Sequence, residues 1–93
     1  MATAVDIGTL ITRTPGRHGG RPCIGRSGPS ILPIVELFEM GVSPADIKDE
    51  HFPHVPMEGV FAALAYWAAN REEVDGYFRE DQEAHDELFG PSG

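Results

Sequence analysis

One glycine-rich segment has the spacing of a phosphate-binding loop. Residues 20–27 are one substitution from the pattern G-x-x-x-x-G-K-S/T, with Arg26 in the position of the lysine. That loop needs a buried parallel strand before it and a helix beginning at its lysine. Gly28-Pro29 interrupts the segment immediately. We therefore interpret it as a glycine-rich turn and not as a nucleotide site.

The histidines and nucleophiles do not complete a reactive site either. His51 and His54 have acidic neighbours, but Pro53 between them favours a loop, and no third and fourth metal ligand follows at a usable spacing. Nucleophilic catalysis would need a serine or cysteine activated by histidine, an oxyanion site and a cleft. No recognisable arrangement of this kind is present. We therefore expect a protein that is not an enzyme and has no cofactor or metal.

Charge is strongly segregated along the chain. The net charge is -8, which disfavours nucleic acid and anionic membranes as partners. The first 29 residues nevertheless contain four arginines and one aspartate, whereas residues 30–93 contain 3 basic and 14 acidic residues. The four arginines are the candidates for contacts with phosphates or for ion pairs: Arg13, Arg17, Arg21 and Arg26.

The acidic end of the chain holds a second set of candidate residues. Residues 71–89 contain 8 acidic and 2 basic residues, and their apolar stripe ends at Phe78. A solvated helix is the ordinary outcome for such a run. The alternative is a segment that binds a cationic protein partner through carboxylates and two apolar residues. Its candidate residues are Glu80, Asp81, Glu83, Asp86, Glu87, Leu88 and Phe89.

The elements that must position these residues predict one small, mainly α-helical domain. A chain of 93 residues buries too little surface for two cores. We divide it into a β and glycine-rich arm at 1–29, a helical core at 30–70 and an acidic helix and tail at 71–93. Within the arm, residues 9–13 and 22–24 predict a short β-hairpin or an extended arm.

Four helices follow the arm in this prediction. The first begins at Ser30 and ends at Gly41, with residues 31, 34, 35 and 38 on its core face. The second runs from Ser43-Pro44 to about residue 50. The fourth begins at Asn70, with Glu73 completing a capping box, and stops at Gly90-Pro91.

The third helix, residues 57–69, shows the clearest apolar periodicity. It contains none of the side chains that read base edges, which argues against a DNA-recognition helix. Its other faces are nearly all alanine, which permits close approach by another helix. We expect a homodimer, because one small core cannot cover so much apolar and small surface. The predicted buried stripe is Met57, Val60, Phe61, Leu64 and Trp67.

Targeting signals are not recognisable in the sequence. The first ten residues lack the basic segment of a signal peptide, and no apolar run approaches the roughly 20 residues that span a bilayer. The single cysteine, Cys23, cannot form an internal disulfide. These features predict a cytoplasmic protein without membrane contact.

The order of short motifs along residues 11–73 resembles a bacterial family, domain of unknown function number 433. The resemblance implies a small helical domain with helix-turn-helix-like topology behind a short β element. It also implies an antitoxin-like role, since some members are described as partners of PIN-domain ribonuclease toxins. The motifs are Ile11-Thr12-Arg13-Thr14-Pro15-Gly16, Gly20-Arg21-Pro22, Gly41-Val42-Ser43-Pro44 and Ala62-Ala63-Leu64-Ala65-Tyr66.

Three functions follow as hypotheses. The first is a non-enzymatic antitoxin-like interaction module that neutralises a PIN-type ribonuclease toxin. The alternative is a helix-turn-helix DNA-binding regulator, and the third is an orphan enzyme or metal protein. Members of the family often read Gly-Thr-Arg-Ile-Pro-Val after the Gly-Arg-Pro motif, and this chain lacks that arginine.

Overall fold

The fold is a β-hairpin followed by four helices, and the computed structural model describes residues 7–26 and 28–90. The predicted mainly α-helical class is therefore confirmed. A single turn of π-helix, Ile47–His51, continues the second helix. In chain order the elements are β1 (Ile11–Thr12), β2 (Cys23–Ile24), α1 (Leu32–Glu39), α2 (Pro44–Asp46), α3 (Met57–Ala69) and α4 (Arg71–Phe89).

The two strands form an antiparallel hairpin, which is one of the two alternatives predicted for the arm. Ile11 lies opposite Ile24, and the Thr12 hydroxyl donates to the carbonyl of Gly25 at 2.6 Å. The chain then turns back, and the amide of Ile31 donates to the carbonyl of Pro22 at 3.1 Å. These bonds attach the start of the first helix directly to the hairpin.

The first helix lies within the predicted limits but does not have the whole predicted core face. The Ser30 hydroxyl accepts from the amide of Leu32 at 3.2 Å, and Gly41, with φ of 94°, ends the helix. Ile34 and Val35 are fully buried. Phe38, predicted to be buried, is 38% exposed because it lies in the last turn, where its ring packs edge-on against Trp67.

The second helix begins as predicted and then changes from α-helical to π-helical hydrogen bonding. The Ser43 hydroxyl accepts from the amide of Asp46 at 3.2 Å, which confirms the N-cap. The amide of Phe52 donates to the carbonyl of Ile47, five residues back, at 2.9 Å. The wider turn thus gives a hydrogen-bond acceptor to the amide of Phe52. The next residue, Pro53, has no backbone N–H to donate. The predicted helical segment to about residue 50 is therefore confirmed, and its last turn is a π turn.

The third helix has the predicted bounds, but its buried face is rotated relative to the predicted stripe. Val60 and Ala63 are fully buried, whereas Phe61 is 53% exposed. The reason lies at Gly59, where an added Cβ would come within 2.9 Å of Ile24 Cγ2. Because the smallest residues permit this close approach to β2, the bulky Phe61 is left on the outer side.

The fourth helix ends at Phe89, as predicted, but its start is not capped as predicted. The Asn70 side-chain amide donates to the carbonyl of Tyr66 at 3.0 Å and makes no bond to the first turn of α4. A one-residue link between α3 and α4 holds Asn70 beside the last carbonyls of α3. The carboxylate of Glu73 meanwhile binds side chains, so the capping-box prediction was wrong.

Five elements contribute buried side chains to a single core. The core includes one buried aliphatic side chain from each: Ile24 from β2, Ile34 from α1, Ile47 from the π turn, Val60 from α3 and Val74 from α4. Within residues 7–26 and 28–90, no helix is long and apolar enough to cross a membrane. Some sequence features lie outside the described residues: the first six positions, Ser27 of the glycine-rich segment and Pro91 of the helix stop.

Candidate functional site

Arg13 joins the arm to the junction of α3 and α4. Its Nη2 donates to the Tyr66 hydroxyl and to the Glu73 carboxylate. The Tyr66 hydroxyl donates to Glu73 Oε1 at 2.7 Å, and the Tyr77 hydroxyl donates to Glu73 Oε2 at 2.6 Å. We call these four residues the Glu73 cluster. Three donors thus converge on one carboxylate.

The Glu73 cluster has defined protonation states at neutral pH. Burial opposes the charged carboxylate, but hydrogen bonds from Tyr77, Tyr66 and Arg13 outweigh it and hold the pKa of Glu73 below its usual value. Burial and the bond to Glu73 raise the pKa of Tyr66, and the bond to Glu73, with burial, raises that of Tyr77. The donors and the acceptor therefore satisfy one another, as in a structural contact.

Arg21 attaches the arm to the middle of α4. Its guanidinium donates to both carboxylate oxygens of Asp81, at 3.1 and 3.0 Å, and to Glu80 Oε2 at 3.3 Å. The same guanidinium lies 4.7 Å from the centre of the Tyr77 ring. Its side chain is 22% exposed, and the hydrogen bonds to Asp81 outweigh burial and raise its pKa. Arg21 is thus an intramolecular ion-pairing residue.

The other two candidate arginines differ from each other. Arg17 donates to the carbonyls of Arg26 and Gly28, so it closes the loop after β2. Arg26 is exposed, and within residues 7–26 and 28–90 its side chain has no hydrogen bond or ion pair. Three of the four arginines are therefore engaged inside the chain. The segregation of charge in the sequence was the available signal that the arm binds the acidic helix.

The candidate acidic residues fall into two groups. Glu80 and Asp81 bind Arg21, whereas the residues beyond them project from the core. Leu88 is 77% and Phe89 is 75% exposed. No residue of α4 after Val74 is fully buried. We call the projecting group the α4 tip: Glu83, Asp86, Glu87, Leu88 and Phe89.

A comparison with protein families identifies the chain. Residues 11–67 match the family described as Protein of unknown function (DUF433). The chain belongs to this family. The DUF433 match extends from β1 to Trp67 in α3, so α4 lies outside it. No curated protein and no solved structure matches the chain.

An apolar groove runs along the outer side of α3. The groove has a volume of about 830 Å³, and alanines form much of its lining. Two of its large apolar side chains are exposed, Ile7 at 75% and Phe61 at 53%. We call this surface the α3 groove: Ile7, Leu10, Ile11, Phe61, Ala62 and Ala65, with Glu58 and Arg13 as its charged residues.

Reactive groups elsewhere in this DUF433 protein are dispersed or shielded. Among the described residues, no group of three or more His, Cys, Asp or Glu side chains could hold a metal ion. His51 and His54 are exposed. Cys23 is 2% exposed, and burial raises the pKa of its thiol, which disfavours the reactive thiolate. A wider cleft, of about 910 Å³, lies between the arm and α4, with Arg21 and Asp81 in its lining.

Proposed function

We propose that this DUF433 protein is a non-enzymatic, antitoxin-like interaction module. Its α4 tip binds the cationic RNA-binding groove of a PIN-type ribonuclease toxin. The observation that carries the proposal is the exposure of Leu88 and Phe89, at 77% and 75%, beside three carboxylates. Neighbouring exposed apolar side chains are typical of a surface that a partner covers.

The chemistry of the α4 tip matches such a partner. A ribonuclease presents cationic groups to hold RNA phosphates. Carboxylates from Glu83, Asp86 and Glu87 take the place of those phosphates, and the two apolar residues fill the adjacent pockets. Complementary charge of this kind speeds association at low salt more than it deepens affinity.

The arm supports the presentation of the tip. α4 is about 28 Å long at 1.5 Å per residue, and Arg13 and Arg21 hold its start and its middle against the arm. A helix fixed in this way loses less conformational freedom on binding than a free segment does. The ion pairs to Glu73 and Asp81 therefore favour binding without contacting the partner.

DNA binding is the competing function, and three observations favour a protein partner over it. Arg13 and Arg21 already pair with carboxylates of the same chain, and Arg17 binds backbone carbonyls. The outer side of α3 presents Phe61 and alanines where a recognition helix would present base-reading side chains. The net charge of -8 opposes approach to phosphates.

The first experiment measures binding to a purified PIN-type ribonuclease encoded beside this gene. We expect the double variant Leu88→Ser and Phe89→Ser to weaken binding at least about 10-fold, because two apolar contacts are lost. The double variant Glu83→Lys and Glu87→Lys should slow association, most strongly at low salt. The matched control is Glu50→Lys, an exposed acid in the π turn after α2.

Two results would contradict the proposal. One is unchanged affinity of the Leu88→Ser and Phe89→Ser variant for a ribonuclease that binds the parent protein. The other is a neighbourhood without any such gene, combined with salt-sensitive binding of the parent to its own promoter DNA that Arg26→Ala abolishes. The second result would favour the regulator function.

A further inference from the structure

We propose that the α3 groove is the interface of a homodimer, in which α3 of one copy packs antiparallel on α3 of a second copy. This contact is separate from the α4 tip and does not depend on the function proposed for it. The exposed side chains of Ile7 and Phe61 provide its apolar surface.

The composition of the groove suits helix packing. Ala62 and Ala65 line it, and short side chains let two helix axes approach to about 8 Å, the near end of the usual range. Phe61 stands beside these alanines and fits over the same small residues of the other helix. The side chain of Phe61, which is 53% exposed in one copy, would then be covered by the second copy.

Charge complementarity points to a second copy as the occupant. Glu58 lies in the first turn of α3, and Arg13 contacts Tyr66 near the other end. A two-fold axis at Ala62 places position 58 of one helix opposite position 66 of the other. Glu58 then faces Arg13 of the second copy, and the symmetry forms the pair twice.

Arg13 can take part in this pair while it stays in the Glu73 cluster. Both of its hydrogen bonds use Nη2, and its side chain is 48% exposed. A guanidinium carries five N–H donors, so further donors remain for another partner, and Arg13 is part of the groove lining. The same arginine therefore connects the arm to α4 and meets the acid of the second copy.

The α4 tip is a poor alternative for self-association. Each copy carries a net charge of -8, and the tip surrounds its apolar residues with Glu83, Asp86 and Glu87, so two tips would repel. The α3 groove has one acid and one base, Glu58 and Arg13. The two exposed apolar surfaces thus suit different partners, a basic protein for the tip and a second copy for the groove.

Cysteine cross-linking tests the geometry directly. We expect Ala62→Cys to form an intermolecular disulfide under mild oxidation, because the two-fold axis places it opposite itself. The matched control is Ala68→Cys, an exposed alanine of α3 that is not part of the groove. The native Cys23, at 2% exposure, should not react. Equal cross-linking of the two variants would overturn the proposal.

Molar mass provides the second measurement. Light scattering across a concentration series should give twice the 10.1 kDa of one chain. Phe61→Ser should weaken the dimer at least about 10-fold, and Glu58→Arg should weaken it more at low salt than at high salt. Both positions are exposed, so helicity by circular dichroism should stay unchanged. A molar mass of 10.1 kDa at every concentration would refute the dimer and would favour a different protein as the occupant of the α3 groove.

Discussion

Glu73→Ala is expected to destabilise the fold by about 2 to 3 kcal/mol. The carboxylate accepts from the hydroxyls of Tyr66 and Tyr77 and from Arg13. A hydrogen bond to a charged group contributes about 1.5 to 3 kcal/mol when it is well shielded. Here the side chains of Glu73 and Arg13 are 28% and 48% exposed, so solvent screening removes much of the simple sum.

Urea unfolding followed by the fluorescence of Trp67, the single tryptophan, measures this change. Glu72→Ala is the matched control, since Glu72 is an exposed acid in the same first turn of α4. It should cost only about 0.3 to 0.5 kcal/mol, the contribution of an acid near a helix N-terminus. For a domain of this size, the difference between the two variants corresponds to a Tm gap of at least about 6 °C.

The dependence on pH identifies the cause. Because the folded state lowers the pKa of Glu73, its contribution is fully present above the ordinary value of about 4.3 and is lost as pH falls through the folded value. The stability gap between the parent and Glu73→Ala should therefore shrink in acid. A gap at pH 7 no larger than that of Glu72→Ala, or one that stays constant down to pH 2, would refute the reasoning.

Four further predictions concern the free energy of unfolding in urea. The raised pKa values of Tyr66 and Tyr77 predict stability that is present below about pH 10 and lost as pH rises through the folded values, and replacing both with phenylalanine should remove that loss. Arg21→Ala should cost about 1 kcal/mol and Arg26→Ala almost nothing, because only Arg21 pairs with α4. Gly59→Ala should cost about 1 kcal/mol by crowding Ile24, whereas Gly76→Ala, whose Cβ meets only an arginine at 3.5 Å, should stabilise α4 by up to about 1 kcal/mol. Trp67→Ala, whose unfolding is followed by circular dichroism because it lacks the single tryptophan, should cost about 2 kcal/mol, below the value for a fully buried aromatic, because Trp67 is only partly buried against Phe38.

Local signals in the sequence were sufficient for the order and the ends of the helices. Ser30, Ser43 and Gly41 act through bonds or backbone angles within a few residues, so their roles follow from residue type and position. Asn70 was misread because a competing acceptor, the carbonyl of Tyr66, lies in the preceding helix. A capping pattern predicts a helix start correctly and cannot reveal which of two nearby helices the side chain binds.

Which face of α3 is buried is decided by its contact with β2, and the apolar periodicity of the sequence carries no information about that contact. A stripe of large apolar residues predicts the buried face only when the partner surface can accept bulk. Here β2 passes so close that Gly59 must face it, and Phe61 is displaced outward. The distance between a strand and a helix is a tertiary quantity, so the exposure of Phe61 became visible only in the fold.

The ion pairs of the arm explain how an acidic helix can be part of the fold and still serve the binding role that we propose for its tip. Arg13 and Arg21 compensate acids at the start and in the middle of α4, at Glu73 and at Asp81. No arginine of the arm contacts the α4 tip, so no positive charge of the arm neutralises the carboxylates of Glu83 and Glu87. Because the arm neutralises Glu73 and Asp81, the carboxylates that no arginine of the arm compensates include those of the α4 tip, at one end of the helix. Removing Arg21 should weaken this polarity as well as the fold, because Asp81 would then add its charge to the acidic surface.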